Sequence, residues 1–230
     1  MARIIGDDRD IVLIGTVEDD VIEGRGGDDL LFGRSGRNRL LDDGPVLGDV
    51  ARGGGDRLFD GTEGDLLIGD AGTIRLEENG MLGRATGGAD RLFGNAGDDW
   101  LLGDGDVMPH AARGGADCLD GGAGDDRLYG DAGPTLGDLT DVTRGADRFV
   151  FARGSDRDAI FDFENNKDAI DLSPFAGIDG IDEVRAQARQ VGTDTVIDLG
   201  AAAGGTAGED VLTLAGFDRA RLNTADFLFA

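Results

Sequence analysis

The sequence predicts an all-β chain: a right-handed parallel β-roll over residues 1–148, closed over residues 149–230 by a β-rich cap that contains one short helix. Three observations predict it. A nine-residue period recurs through the first two thirds of the chain. The composition is dominated by 42 Gly and by 47 Asp plus Glu against 22 Lys plus Arg, a formal net charge of -25. Beyond Phe149 the period gives way to short runs of alternating apolar residues.

From Gly15 the chain reads GTVEDDVIE, GRGGDDLLF and GRSGRNRLL. Each block opens on glycine, carries Asp or Asn sixth (Asp20, Asp29, Asn38) and an aliphatic eighth (Ile22, Leu31, Leu40). The period returns with Asp56 and Asp65, with Asp90 and Asp99, and with Asp117 and Asp126. Above it runs a longer repeat, with blocks at Gly26, Gly53, Gly87 and Gly114 and a partial copy, RGADRFVF, from Arg144. The steps between blocks are 27, 34 and 27 residues. Multiples of nine predict that some connectors continue the coil with imperfect turns, and that Glu77 to Arg84 loops out. Connectors share GPVLGD at Gly44 and GPTLGD at Gly133.

Nine residues in this order suit a half-turn. Early glycines let six residues turn tightly. The last three form a short strand with its middle side chain turned inward. Two half-turns make one coil, so residues 18 apart stack; by this count Asn38 stacks on Asp56 and Asp99 on Asp117. Stacked carboxylates repel unless a cation lies between them. Calcium suits the position, because it takes six to eight hard oxygens, including carbonyls that glycine turns aim at it.

The blocks resemble the G-G-x-G-x-D-x-U-x nonapeptide of RTX proteins, a calcium-binding β-helix repeat, over roughly Gly15 to Phe151. In that family, Asp side chains and turn carbonyls of successive coils hold the ion. The resemblance implies Asp20, Asp29, Asp56, Asp65, Asp90, Asp99, Asp117 and Asp126 as side-chain ligands, with Asn38 at the equivalent position. It implies Gly27, Gly97 and Gly124 as turn positions, and Asp70, Asp104 and Asp131 of the recurring G-D motif as substitute oxygen donors. Leu47, Ile74, Met108 and Thr135 stand where Asp is expected, so several turns are expected to bind weakly or stay empty.

In the last third, strand-like runs follow Asp158 and Asp168, and the pair Asp168–Asp171 is either a further calcium site or surface ion pairing. Ile181 to Gln190 has helical spacing with Asp182 and Glu183 in its first turn. TDTVIDLG and EDVLTLAGF read as strands joined by a glycine-rich turn around Gly204. The DFxxxxDAIDLS run from Asp162 to Ser173, the two strands, and the terminal DFLF at Asp226 to Phe229 resemble the C-terminal region of serralysin-type, type I secreted proteins. That resemblance implies a cap and an uncleaved C-terminal secretion signal; DFLFA also reads as a last strand closing the core. The early apolar run Ile11 to Ile14 is too short for a signal-peptide core.

The charge excludes nucleic acid, which needs a basic patch, and no run approaches the ~20 apolar residues of a membrane span. Cys118 is the only cysteine, so no internal disulfide forms, and it reads as a packing residue. No H-E-x-x-H is present, and His110 reads as an exposed loop residue. The chain is therefore expected to be a secreted, extracellular, non-enzymatic module that folds on binding Ca2+ and leaves through type I secretion machinery. The alternatives are a calcium-dependent adhesin or matrix component, or an accessory module of a polysaccharide-active or other secreted enzyme. Ninth positions (Phe32, Leu41, Phe59, Ile68, Phe93, Leu102, Tyr129) are expected to point outward. They form an apolar stripe that either docks a partner or a second copy, or packs locally.

Overall fold

The computed structural model describes residues 1–42, 53–70, 86–105, 112–131, 133 and 142–230. The strands are β1 Ala2–Ile5, β2 Val12–Ile14, β3 Asp20–Glu23, β4 Leu30–Phe32, β5 Arg39–Leu41, β6 Arg57–Phe59, β7 Leu66–Ile68, β8 Arg91–Phe93 and β9 Trp100–Leu102. They continue as β10 Cys118–Asp120, β11 Arg127–Tyr129, β12 Arg148–Val150, β13 Arg157–Ile160, β14 Ala169–Asp171, β15 Ala188–Val191, β16 Asp194–Asp198, β17 Val211–Leu214 and β18 Phe227–Leu228. Up to β14 the chain alternates between two parallel sheets, odd strands in one and even strands in the other. This is a parallel β-roll.

Each three-residue strand turns its middle side chain into the gap between the sheets. Ile22, Leu40, Leu67, Leu101, Leu128 and Ile160 stack down the odd sheet. Leu31, Leu58, Leu92, Leu119, Phe149 and Ile170 stack down the even sheet. All twelve are fully buried, and each contributes about 1.5–3 kcal/mol through burial. The core is one aliphatic pair thick, so holding the coils together also depends on the turns.

The register corrects two expectations. Leu31 stacks on Leu58, Leu58 on Leu92 and Leu119 on Phe149, so a coil that spans a connector takes 27 to 34 residues. β5 pairs directly with β7, 27 residues on, rather than with a strand 18 residues on as the period predicts. Accordingly Asn38 meets Asp65 rather than Asp56, and Asp99 meets Asp126 rather than Asp117. Glu77 to Arg84, His110 and the degenerate sixth positions Leu47, Ile74, Met108 and Thr135 lie outside the described residues. At the N-terminus the roll begins one coil earlier than Gly15: β1 and β2 pair with β3 and β4 at a spacing of 18.

At the other end, β17 joins β13 in parallel, and β16 and β15 follow antiparallel. The helix α1 spans Ile181–Gln187 and stops short of Gln190, because Ala188 to Val191 pair with β16 instead. A four-residue helix, α2 (Leu199–Ala202), lies ahead of the Gly204 turn. The final strand β18 pairs with β14, and Phe227 is buried in the core, as a closing strand requires.

The ninth positions separate by sheet, which corrects the continuous outward stripe. Leu41, Ile68, Leu102 and Tyr129 are buried in a second cluster with Val21, Leu66 and Trp100. Only Phe32, Phe59 and Phe93 remain half-buried on the even face, their rings stacked at 5.3 and 4.7 Å. Cys118 is half-buried on that face, in register with Arg91 and Arg148. Burial pushes its thiol pKa up, as fits a packing residue.

Candidate metal centres

The two edges of the roll carry two columns of aspartates. On the edge where even strands turn into odd ones, the column is Asp20, Asn38, Asp65, Asp99 and Asp126. Each side chain accepts, through Oδ1, the backbone N–H of the column residue one coil earlier: Asp20 to Asn38 at 3.0 Å, Asn38 to Asp65 at 2.6 Å, Asp65 to Asp99 at 2.7 Å and Asp99 to Asp126 at 2.8 Å. On the opposite edge the same ladder runs Asp29 to Asp56 at 2.6 Å, then Asp56 to Asp90 and Asp90 to Asp117, both at 2.8 Å. The sixth-position aspartate is therefore half structural: one oxygen ties adjacent coils together.

The other oxygen has no such role. Oδ2 of Asp29, Asp56, Asp65, Asp90, Asp99, Asp117 and Asp126 is buried with no hydrogen-bond partner. These oxygens face turn carbonyls across the space that glycine leaves open. A Cβ on Gly94 would stand 2.3 Å from Asp99 Oδ2 and 2.5 Å from the Gly121 carbonyl oxygen. One on Gly103 would stand 2.3 Å from Asp117 Oδ2 and 2.2 Å from the Gly130 carbonyl oxygen. Acceptors thus converge without a donor, an arrangement that costs free energy unless something positive sits there.

The G-D aspartates follow the odd strands onto the second edge. Asp70 accepts the Gly88 N–H at 3.0 Å, Asp104 the Gly115 N–H at 2.7 Å, and Asp131 the Gly145 N–H. They interleave with Asp56, Asp90 and Asp117, so all six share one buried column. Gly27, Gly97 and Gly124 occupy fourth turn positions with φ of 115°, 122° and 133°, where a side chain is strained.

Electrostatics mark the same places. Burial pushes Asp99 up to about 8 and Asp126 to about 6, with neighbouring carboxylates adding to both. Burial together with the surrounding aspartates holds Asp90, Asp104 and Asp117 well above the carboxylate range. At an effective dielectric of about 20, two like charges 4 Å apart repel by about 4 kcal/mol.

Three findings refine the sequence reading. Asp20 has both oxygens bonded: Ala2 N–H donates to Oδ1 at 2.7 Å, and the Thr16 N–H and hydroxyl donate to Oδ2 at 2.6 and 2.8 Å. These bonds outweigh burial and hold its pKa below the usual value. Of the two alternatives for Asp168 and Asp171 the structure shows ion pairing, since Asp171 pairs with Arg148, while Asp168 accepts the Asp147 and Glu164 N–H groups. Asp147 and Asp158, not assigned as ligands from sequence, and Asp168, assigned there only as a partner of Asp171, continue the two ladders by accepting the N–H groups of Asp117, Asp126 and Asp147 at 3.0 Å each. The signal for Asp147 was present in RGADRF.

Among the described residues no three His, Cys, Asp or Glu side chains form a metal-holding group by themselves. The oxygens that could hold an ion are instead those of paired aspartates and backbone carbonyls. That all-oxygen set fits Ca2+ and excludes the soft ligands preferred by zinc or copper. The RTX calcium-binding nonapeptide repeat matches four copies here, over residues 5–40, 84–107 and 111–134.

The chain carries RTX calcium-binding repeats.

These repeats bind calcium ions, so the chain is a calcium-binding β-roll module. Among solved structures, the chain is similar to the extracellular lipase LipA of Serratia marcescens (TM-score 0.41, 20% identity), over 96% of this chain and 40% of the lipase. It is also similar to the AlgE6R2 subunit of the Azotobacter vinelandii mannuronan C5-epimerase (TM-score 0.42, 26% identity), over 81% of this chain and 92% of that one. The AlgE6R3 subunit of the same epimerase matches with TM-score 0.29 and 22% identity, over 74% and 80% of the two chains. No relative was found among curated proteins.

The two classes of column aspartate should respond differently to truncation. Asp99→Ala is expected to raise the calcium midpoint of folding by roughly tenfold, about 1.4 kcal/mol, and to lower its cooperativity. Asp20→Ala removes three hydrogen bonds but no free carboxylate oxygen, so it should lower stability while leaving the cooperativity of the calcium transition unchanged. Calcium titrations followed by circular dichroism read both; equal loss of cooperativity in the two variants would remove the distinction.

Proposed function

We propose that this chain is a secreted, non-enzymatic module that stays open where calcium is scarce and closes into the roll outside the cell. The observation that carries the reading is the run of buried Asp Oδ2 atoms with no partner. Paired aspartates such as Asp56 with Asp90, and Asp65 with Asp99, together with turn carbonyls would hold calcium, whose charge offsets their repulsion. Binding at extracellular levels of ~10⁻⁴ to 10⁻³ M makes the surrounding calcium the trigger.

The C-terminal segment supports export before folding. Asp226 is fully buried and accepts the Asn166 and Asn223 N–H groups at 2.9 and 3.0 Å, while Phe227 packs in the core. The Asp226–Phe227 half of a secretion signal at DFLF is therefore accessible only while the roll is open. Among the described residues no helix is long and apolar enough to cross a membrane.

An interaction role, as an adhesin or as an accessory module beside a secreted enzyme, would rest on the Phe32–Phe59–Phe93 ladder. Co-expression with a type I transporter tests the reading. The full chain is expected in the medium and a chain ending at Asp226 inside the cell; retention of both would overturn the secretion reading. Light scattering on the exported, calcium-loaded chain reads self-association, and a mass of one chain ends that part of the proposal.

A further inference from the structure

Two departures from the repeat fall on consecutive coils of one edge. Position six is Asn38 where the other turns of that edge carry Asp20, Asp65, Asp99 and Asp126. Position one of the next turn is Asp60 where the others have Gly15, Gly33, Gly94 and Gly121.

In the regular turns, Oδ2 of the sixth residue lies against the first glycine of its own turn. Asp99 Oδ2 is 2.3 Å from a Cβ position on Gly94, and Asp126 Oδ2 is 2.1 Å from one on Gly121. At Gly33 that place is taken from the next coil: Asp60 Oδ1 lies 2.1 Å from the Cβ position, with Asn38 Nδ2 at 2.9 Å. Asn38 has no oxygen to offer there. Its Oδ1 accepts the Asp20 N–H, and its Nδ2 donates to Asp60 Oδ1 at 2.9 Å and to the Gly36 carbonyl at 3.0 Å.

Asp60 and Asp65 are only 7% and 5% exposed, and Oδ2 of each is buried without a hydrogen-bond partner. Burial and the adjacent Asp65 carboxylate push Asp60 up, so the pair is costly when both groups are ionised and unneutralised.

We propose that Asp60 supplies the carboxylate that Asn38 lacks, so that Asp60 and Asp65 with the surrounding turn carbonyls hold a divalent cation where the repeat is broken. This rests on the calcium reading of the regular turns and adds to it a ligand at a position the repeat reserves for glycine. Asn38 then orients Asp60 by its amide instead of ligating.

The test counts calcium bound per full-length chain by equilibrium dialysis at saturating calcium, with circular dichroism on the same samples. Asp60→Asn is expected to bind one ion fewer than the unaltered chain. Asn38→Asp combined with Asp60→Gly restores the regular repeat and is expected to return the full count. An unchanged count in Asp60→Asn overturns the proposal and leaves a carboxyl pair sharing a proton. If Asp60→Asn does not fold, the double variant decides: a full count supports the relocation, and one ion fewer overturns it. An unaltered chain that binds no calcium would bring down the calcium reading as well, which separates the two failures.

Discussion

Held in chelator near pH 8.5, the chain is expected to lose both parallel sheets, and acidification to about pH 5.5 should restore part of them without metal. The reason is the direction of the aspartate shifts. In the metal-free roll Asp99 and Asp147 lie at about 8, Asp158 at about 9, and Asp126 and Asp168 at about 6, each raised first by burial. In an open chain they return to the ordinary value near 3.9. The folded state therefore binds more protons, so their contribution to stability is complete below about pH 4 and is lost as pH rises through 6 to 9. Each tenfold change in proton affinity corresponds to about 1.4 kcal/mol, so several such groups exceed the marginal stability of a domain.

Calcium reverses the dependence, since ion and proton compete for the same oxygens. With calcium near 1 mM the chain should be folded at pH 8.5, and its midpoint should move to higher calcium as pH falls toward 5.5. Magnesium, which favours near-ideal octahedral geometry and keeps its waters, should not substitute. Far-UV circular dichroism across both titrations measures this. A chelated chain with the same sheet signal at both pH values would show that its aspartates are turn formers alone.

The eighth-position aliphatics were legible in the sequence because burial between two sheets leaves a strict mark: Leu58, Leu92 and Leu119 could be placed in the core by counting from a glycine. The coil length was not. Nine-residue arithmetic treats every block as a half-turn, whereas register follows which strands pair, and β5 finds β7 across a connector. The first coil escaped because Ile11 stands where the repeat expects Asp, although its N–H still bonds Asp29 Oδ1 at 2.9 Å. The ladder positions of Asp158 and Asp168 escaped because the glycine frame around them is gone and only the ladder geometry persists. The split of the apolar ninth positions was equally hidden. Leu102 and Phe93 have the same rank in the repeat, and only the three-dimensional partners make one buried and the other half-exposed.

A single methyl group on Gly88 is expected to do more damage than most core truncations. A Cβ there would stand 1.5 Å from the backbone oxygen of Gly54 in the preceding coil. No rotamer change relieves a clash with a carbonyl, so the coils must part. Parting them strains the Asp56 N–H to Asp90 Oδ1 bond at 2.8 Å, the Arg91 N–H to Asp56 carbonyl bond at 2.9 Å and the Gly53 N–H to Thr86 carbonyl bond at 2.9 Å. Losing two or three such bonds inside a buried edge costs at least about 2 kcal/mol. It also displaces Asp90 from Asp56, so calcium no longer recovers the loss.

Gly55→Ala is the matched control, one residue from the facing Gly54. Its Cβ would meet nothing closer than the Ala89 carbonyl oxygen at 3.6 Å. The repeat itself supplies the precedent: Ala89, Ala116 and Ala146 hold the equivalent position in the later coils, while Gly54, Gly88, Gly115 and Gly145 are never replaced. Thermal unfolding at saturating calcium should therefore leave Gly55→Ala within about 0.5 kcal/mol of the unaltered chain, with Gly88→Ala unfolded or far below it. Equal behaviour of the two variants would mean that the coils are spaced more loosely at this edge, and the carbonyl–carboxylate cradle would lose the close approach on which ion binding depends.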